Sequence, residues 1–532
     1  MQTFFNSKPV KLFITLFQKY AIYLFALVVV VLNCSLAFDN VVWGDEAFSG
    51  ITIRNTNLYG IFERVYYLDS HPPLYYYWLR LLADIFGYNT TVYHFSALIP
   101  FIAGILIAIF LFNKKFGQIP TAFFITISGL SAVCAEYNLE IRMYALLFLE
   151  LLICSYSAYR ITENNAKKRH WVLLTLFGVF AAYTHYFGLV TSSILLFITS
   201  LFYFIRNRKK SWLYGLFSII SYIILYTPWL FVFYKQASTV SKSWWLTEIA
   251  PLSVLTEVLF CGSHMRIVLM PLTLLLSVFI LLVESNILSS TDNNDKKHVT
   301  FSFKNATYKH WSNELKGIIL FWCSIIMTIV CTYIASYLIN PLTVARYMYP
   351  LIPQMLFILM LGIRRILAYG HVHWGTQEYY NSPNELPTGL FATENKKKLR
   401  VCFSLITVVF LIILTIGLFD FKYYRSVSKT QNAQTEFILY TIGEPTEDTV
   451  FTAANVQHLS WTVLQYYFPN NPIYACMPNE VQEDADHIWT FLGNDISEST
   501  LDAMESKGYS VNEYKAVLMC KYSCNVYHFY KD

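Results

Sequence analysis

The stretch LFITLFQKYAIYLFALVVVVLNCSLA (residues 12–37), soon followed by VVWGDEAFSGITIRN (41–55), decides the fold of this chain. A membrane-spanning helix needs roughly 20 mostly apolar residues, and the first stretch is long enough. It is too long for the apolar core of a signal peptide, and LNCSLAF has no clear small-x-small cleavage site. We therefore expect an uncleaved first membrane helix, followed at the membrane surface by two adjacent carboxylates, Asp45 and Glu46.

The composition extends this expectation to most of the chain. Of its 532 residues, 55% are hydrophobic and only 14% are charged, whereas soluble domains average about 25% charged residues. A net charge of +5, without a basic patch interleaved with aromatic residues, does not indicate nucleic-acid binding. We predict a polytopic α-helical membrane protein with about eleven spans, at 12–37, 93–112, 120–137, 141–160, 170–187, 188–205, 211–234, 267–288, 317–339, 346–367 and 400–419.

Lysine and arginine residues predict the orientation, because they are enriched in cytoplasmic loops. The basic loops fall on one side of the predicted bundle, at 113–117, 160–170 and 206–210, within 289–316, and at 362–365 and 396–400. That side, and the N-terminus with it, is expected to be cytoplasmic. The first outer loop (38–92) is then extracytoplasmic, as in a multi-pass protein of the cell membrane.

The tail differs in kind from the rest of the chain. Residues 420–532 are polar and alternate between short helical and strand-like segments, which is typical of a small α/β domain. We therefore predict a transmembrane domain at 1–419 and an extracytoplasmic α/β domain at 420–532. Cys520 and Cys524 flank a short turn and are candidates for a disulfide bond in an oxidising compartment, with Cys476 as an alternative partner.

Polar side chains collect at the outer ends of the predicted spans. Ionisable groups at membrane depth are costly, and by default they mark a site. Five separate segments contribute Asp45, Glu46, Asp69, His71, Glu136, Glu140, Arg142, His185, Tyr186 and Arg346. Because these segments are far apart in the sequence, their common position indicates a working site.

The first outer loop admits a structural and a functional interpretation. Asp45 and Glu46 lie between two aromatic residues, so the pair is either a solvated helix start or a base held in an apolar rim. In HPPLYYYWL (71–79), the two prolines fix the start of a helix that lies at the membrane interface. That stiffness also fixes His71 in space, as a site requires. Asp69 either orients this imidazole or is a free loop carboxylate.

The later segments leave the same choice open. Glu140 and Arg142 are either interface anchors with snorkelling side chains or members of a site, and a helix would put Glu136 on the same face as Glu140. Arg346 is either an anchor or a phosphate ligand, since its fixed fork of donors suits phosphate. The candidate substrate-binding residues are His71, Tyr75, Glu140, Arg142, Tyr144, His185, Tyr186, Arg346 and Tyr347.

Taken together, these segments resemble the GT-C glycosyltransferases, in particular their family 39 type, which includes protein O-mannosyltransferases and the aminoarabinose transferases that modify lipid A. The resemblance covers about residues 10–370. It rests, in order, on the carboxylate pair, HPPLYY (71–76), RMYAL (142–146), THYFG (184–188) and RYMYPLIP (346–353). The chain lacks the charged residue that aminoarabinose transferases typically carry between a His or Glu and the two prolines. Its tail does not resemble the β-trefoil of eukaryotic mannosyltransferases.

The resemblance implies a GT-C fold, a polyprenyl-phosphate-linked sugar as donor and transfer outside the membrane. It also implies that Asp45 or Glu46 is catalytic, and it leaves open whether the acceptor is a glycan, a lipid or a protein. On physical grounds Asp45 is the candidate base for an acceptor hydroxyl, and direct attack would invert the anomeric carbon. Arg142 and Arg346 are candidate cations for the leaving phosphate. No cofactor is certain, and a divalent metal held by Asp45, Glu46 and His71 is an alternative.

Two other classes of protein compete with the transferase. A transporter or flippase of lipid-linked sugars would also have many spans, but such proteins usually show paired repeats and charges at the midplane. Here the charges lie at one face, and no repeat is visible in the sequence. A scaffold that presents the tail leaves the clustered carboxylates unexplained. The sequence therefore favours an integral membrane glycosyltransferase.

Overall fold

The structure, a computed structural model, describes residues 8–38, 41–54, 56–163, 167–206, 212–242, 248–285, 287–293, 296–301, 311–369, 396–456, 459–483 and 485–531. Parts of three predicted basic loops (164–166, 207–210 and 302–310) lie outside the described residues. The described residues form a helix bundle with a small sheet at the C-terminal end.

The helices are α1 (Lys8–Cys34), α2 (Gly44–Ile53), α3 (Leu58–Leu68), α4 (Leu74–Phe86), α5 (Thr90–Ile107), α6 (Gln118–Leu130), α7 (Ala132–Tyr137), α8 (Tyr144–Thr162), α9 (Lys168–Thr184), α10 (Tyr186–Arg206), α11 (Leu213–Tyr226), α12 (Leu230–Lys242), α13 (Leu252–Leu259), α14 (Ser263–Glu284), α15 (Asn313–Leu338), α16 (Ile352–Tyr369), α17 (Lys396–Ile442) and α18 (Glu498–Ser506). Residues 41–86, which contain α2, α3 and α4, are here called the first loop.

Most of the predicted spans are confirmed as long apolar helices. Among the described residues, nine segments are long and apolar enough to cross a membrane: Tyr20–Phe38, Thr90–Phe116, Tyr144–Thr162, Tyr186–Ile205, Leu213–Lys242, Ser263–Glu284, Asn313–Leu338, Ala345–Ala368 and Phe403–Ile442. The two other predicted spans, 120–137 and 170–187, correspond to the shorter helices α6 and α9. The chain is therefore a multi-pass membrane protein.

The expected single span at 120–137 is wrong, because the helix breaks at Ser131. The Ser131 hydroxyl donates to the carbonyl of Ile127 (2.8 Å) and accepts from the N–H of Cys134 (3.4 Å), so it serves both helix ends. Asn138 and Asn33 donate to the carbonyls of Ser128 (2.9 Å) and Gly129 (2.8 Å). A helix end within an apolar bundle is tolerated only when its backbone groups are bonded in this way.

The predicted α/β character of the tail is confirmed. The strands β3 to β7 form one sheet in the order β4-β3-β5-β7-β6, in which β3 is parallel to β4 and β5, and β7 is antiparallel to β5 and β6. Their bounds, after a hairpin of β1 (Leu288–Asn293) and β2 (Lys296–Phe301), are β3 (Val450–Ala454), β4 (Ile473–Tyr474), β5 (His487–Leu492), β6 (Ser510–Met519) and β7 (Tyr522–Tyr530). Residues 450–531 are here called the C-terminal unit. Its three cysteines, Cys476, Cys520 and Cys524, are free thiols.

The C-terminal unit packs against the first loop. The backbone N–H of Val42 donates to the hydroxyl of Tyr467 (3.2 Å). Arg54 donates to the carbonyl of Tyr466 (3.0 Å), and its guanidinium lies 4.7 Å from the centre of that ring. The first loop and the C-terminal unit therefore lie at the same end of the bundle.

The close approach between the first turn of α10 and the end of α9 gives a test of the packing. A Cβ at Gly188 would lie 2.2 Å from the backbone carbonyl oxygen of Ala181, whereas a Cβ at Gly104 would meet Leu152 at an ordinary 3.6 Å. We expect Gly188→Ala to lower the unfolding free energy by about 1–3 kcal/mol and Gly104→Ala to leave it nearly unchanged. Thermal unfolding of both variants in detergent measures the difference, and equal melting temperatures would contradict the close approach.

Candidate active site

Glu46 is a buried residue that joins two parts of the site. Helix α2 begins at Gly44, and the Glu46 carboxylate accepts from the backbone N–H of Trp43 (3.1 Å) in its own first turn. Its other oxygen accepts from the backbone N–H of Ile141 (2.8 Å), which lies 95 positions along the chain. Both oxygens are thus bonded to backbone donors, so Glu46 holds the first loop against the segment between α7 and α8.

Asp45, unlike its neighbour Glu46, is partly exposed. Its side chain is 33% exposed, and one carboxylate oxygen accepts from Arg346 at 3.1 Å. Arg346 comes from the short helical turn Ala345–Leu351 that precedes α16. The two adjacent carboxylates therefore differ in environment, because Glu46 is buried and bound by backbone N–H groups, whereas Asp45 is partly exposed beside Arg346.

Arg142 contacts other site residues from a turn, whereas the predicted span at 141–160 would place it on a helix. The predicted span 141–160 begins only at Tyr144, and residues 138–143 form tight turns. In this turn the guanidinium of Arg142 is buried and donates to the hydroxyl of Tyr76 (3.2 Å) and to the backbone carbonyl of Asp45 (3.4 Å). Two cations thus flank Asp45, one on its side chain and one on its backbone.

His71 is oriented by Asp69, which answers a question that the sequence left open. The Nδ1 atom of His71 lies 2.8 Å from the Asp69 carboxylate, whose other oxygen accepts from the hydroxyl of Tyr76. Burial alone would raise the pKa of Asp69, but His71 and Arg142 outweigh it and lower that pKa to about 2. The carboxylate is therefore ionised, and it fixes the imidazole ring at the start of α4.

Aromatic side chains form the wall next to His71. The ring of His185 lies 5.1 Å from the ring of His71, 5.1 Å from that of Tyr347 and 6.0 Å from that of Tyr144. Burial, together with the nearby His71 and Arg142, lowers the pKa of His185 well below its usual range. His185 is therefore neutral, and it joins this wall as an uncharged ring.

Two predicted site residues, Tyr75 and Tyr186, bond through their hydroxyl groups to side chains of neighbouring helices. The hydroxyl of Tyr75 is fully buried and bonds to Ser96 (2.8 Å). The hydroxyl of Tyr186 bonds to Gln236, whose amide in turn donates to the carbonyl of Asp69 (3.0 Å). Tyr75 therefore fixes α4 against α5, and Tyr186 fixes the amide that holds the backbone of Asp69.

Sequence reasoning missed four residues that contact the site: Ser49, Tyr76, His94 and Lys521. Tyr76 is the neighbour of Tyr75 in the same motif, so only the rotational phase of α4 separates the two. His94 and Lys521 line a narrow cavity with Glu46, Glu136 and Glu140. No sequence signal marks Lys521, since it lies far along the chain in a short hairpin turn.

The residues predicted as metal ligands do not form a metal site. Glu46 uses both oxygens on backbone N–H groups. Within the described ranges no group of three or more His, Cys, Asp or Glu side chains is arranged to hold a metal ion.

Glu140 is a buried carboxyl with an unusual titration. Burial raises its pKa to about 8, and the neighbouring Glu46 acts in the same direction. In the unfolded chain its pKa returns to the ordinary 4.5. The folded protein then holds an extra proton between these two values, so the stability that Glu140 contributes is lost as the pH rises through this window.

The direction of this pH dependence predicts the behaviour of Glu140→Gln, which keeps the shape of the side chain and removes its titration. Between about pH 6 and pH 9 the parent should lose about 2–3 kcal/mol more unfolding free energy than the variant. Thermal unfolding against pH measures both profiles. Glu513→Gln, at a side chain of β6 that is 37% exposed, is the control and should follow the parent. Parallel profiles for the parent and Glu140→Gln would contradict the burial of a titrating carboxyl.

The solved structures that resemble this chain include ArnT from Cupriavidus metallidurans. Its apo structure aligns with a TM-score of 0.54 and 11% identity, over 95% of this chain and 97% of ArnT. The structure of the same protein bound to undecaprenyl phosphate aligns with a TM-score of 0.55 and 12% identity over the same shares. No protein-family model matches the sequence, and no curated protein matches it significantly. The structural likeness confirms the GT-C fold that the sequence motifs predict.

Proposed function

We propose that this protein is a membrane glycosyltransferase that moves a sugar from a polyprenyl-phosphate-linked donor to an acceptor hydroxyl. The observation that carries the proposal is the open carboxylate of Asp45, with the guanidinium groups of Arg346 and Arg142 beside it. The GT-C fold supports it, since ArnT, which shares this fold, has been solved with undecaprenyl phosphate bound. We expect this end of the bundle to be extracytoplasmic, because the basic loops of the sequence belong to the other end.

The geometry of Arg346 suits the phosphate of such a donor. Its Nη1 donates to Asp45, while its Nε is buried without a hydrogen-bond partner among the described residues. The Nε of Arg142 is in the same condition. A planar guanidinium binds two oxygens of a phosphate at once, so these spare donors are suited to the lipid phosphate at the membrane surface. The apolar faces of the spans are suited to the polyprenyl tail.

Binding of the donor would also release the base. Before binding, Arg346 is paired with Asp45 at 3.1 Å. A donor phosphate competes for that guanidinium and leaves the Asp45 carboxylate able to accept the proton of an acceptor hydroxyl. The hydroxyl oxygen then attacks the anomeric carbon, and the bond from that carbon to the phosphate oxygen breaks. The phosphate leaves with the electron pair, its charge is held by Arg346 and Arg142, and the configuration inverts.

The first test removes the proposed base. Asp45→Asn keeps the shape of the side chain, and a general base contributes roughly 10²- to 10⁴-fold to rate. We expect turnover to fall by about that factor while donor binding persists. The assay incubates purified protein with a panel of polyprenyl-phosphate hexoses and pentoses and measures release of the lipid phosphate.

Glu46→Gln is the matched control for Asp45→Asn. An amide at this position confronts one of the two backbone N–H groups, so we expect a loss of about 1–3 kcal/mol in unfolding free energy and a smaller loss of turnover per folded molecule. Full turnover by Asp45→Asn beside an inactive, well-folded Glu46→Gln would reverse the two roles. Full turnover in both variants would contradict the proposed site.

The second test addresses the phosphate ligand. Arg346→Ala removes the fork of donors and should weaken donor use strongly, by about 10- to 100-fold in kcat/KM. Arg346→Lys restores the charge without the fork, so we expect only partial recovery. Donor titrations at low concentration distinguish the variants. If both variants match the parent there, Arg346 serves only as an interface anchor.

A further inference from the structure

The backbone that carries Asp45 is held by groups from α17 and the C-terminal unit. The N–H of Val41 donates to the side chain of Asn432 (3.3 Å), and the N–H of Val42 donates to Tyr467 (3.2 Å). Two residues further on, Tyr522 contacts the backbone of Gly44. The chain just before Asp45 is therefore shaped by residues that follow it by nearly the whole length of the protein.

A further residue of the C-terminal unit, Lys521, brings a charge to this region. Met519 pairs with Tyr522, so β6 and β7 are joined by the two-residue turn Cys520–Lys521. The Lys521 ammonium lies 3.8 Å from the Glu136 carboxylate and 5.4 Å from the centre of the Trp43 ring. It lines the narrow cavity that Glu46, Glu136 and Glu140 also line. This turn thus brings a cation to three carboxyl groups that lie behind Asp45.

The wall of this cavity contains polar atoms without partners. The Nδ1–H of buried His94 donates to the carbonyl of Leu139 (2.9 Å), which leaves its Nε2 as an acceptor. That Nε2 and the Oε2 of Glu140 are buried and have no hydrogen-bond partner among the described residues. Such groups normally have partners, so the cavity is polar, with Lys521 as the donor at its mouth.

The backbone of the Cys520–Lys521 turn has a conformation that these two residue types disfavour. Cys520 has φ +51° and Lys521 has φ +72°, and a two-residue hairpin with both φ values positive favours Asn-Gly. A lysine here is therefore strained where glycine would be relaxed. The turn is kept in position by Thr435 of α17, whose hydroxyl accepts from the N–H of Cys520 (2.8 Å). Strained residues that persist in a structure often mark a functional role.

We propose that Lys521 is a positioning residue for the transfer reaction: its ammonium group pairs with Glu136 and lies across the narrow cavity from Glu46, whose two backbone bonds hold the loop bearing Asp45 in its reactive geometry. This inference rests on the proposed role of Asp45 as the base. It assigns the C-terminal unit a part in the active site. Lys521 acts through the loop and is not a ligand of the reacting atoms.

The test uses substitutions that separate charge from folding. Lys521→Gly removes the ammonium and relaxes the turn, so we expect stability to hold or increase while kcat falls by about 10- to 100-fold, with donor KM within about twofold of the parent. Lys521→Arg keeps the charge and should retain most of kcat. Lys515→Gly, in the same hairpin at a side chain that is 61% exposed, is the control and should leave kcat unchanged.

A second readout does not depend on activity. The charged and titratable groups that face the Glu140 carboxyl are Glu46, His94, Glu136, Arg346, Tyr424 and Lys521. Loss of the Lys521 cation should therefore move the Glu140 transition in the stability–pH profile upward by about one pH unit. Lys521→Arg should leave that transition where the parent has it.

The outcomes separate this inference from the proposed function. If Lys521→Gly keeps the parent's kcat and the parent's transition, the inference is overturned. If the transition moves but the parent releases no lipid phosphate from any donor, the coupling of Lys521 to Glu140 is supported and the proposed function fails. If the parent is active and Lys521→Gly loses only stability, Lys521 is an ordinary structural residue and the inference is overturned.

Discussion

The site depends on the two hydrogen bonds of the Glu46 carboxylate. One bond caps the start of α2, and the other reaches the N–H of Ile141 in the turn before α8. Charge-assisted bonds of this kind are stronger than neutral ones, and in a buried setting they are costly to lose. They hold together two segments that the membrane helices bring only near each other. Asp45 and Arg142, one beside each end of this link, then occupy fixed positions relative to one another.

Around this link the charges are arranged in layers. In the first layer, Arg346 donates to the side chain of Asp45, and Arg142 donates to its backbone carbonyl. Behind it, Glu46, Glu136 and Glu140 face one lysine. Buried charges are tolerated only when they are paired and hydrogen-bonded, so the positions of these groups depend on one another. This arrangement suits the proposed transfer reaction, which relies on positioning and electrostatics.

The sequence predicted the membrane bundle, the polar end and the small sheet, because these follow from local apolar runs and strand patterns. It named Asp45 as the candidate base, but it could not give the contacts of Glu46, since one of them is a backbone N–H that lies 95 positions away. It chose Tyr75 where Tyr76 contacts Arg142, because neighbouring residues on a helix differ by about 100° in direction and the pattern does not give the phase. It expected Arg142 on a helix, whereas the chain turns there. Lys521 carried no signal at all, because only the folded hairpin brings it to the site.

The continuous helix α17 has a mechanical consequence. It runs without interruption for 47 residues, which is about 70 Å, while the apolar core of a bilayer is about 30 Å thick. The helix therefore continues well beyond the membrane as a strut and contacts the β6–β7 hairpin on the way. One residue added to this strut would advance everything after it by about 1.5 Å and rotate it by about 100°. The length of α17, counted in single residues, therefore sets the alignment of the C-terminal unit with the first loop.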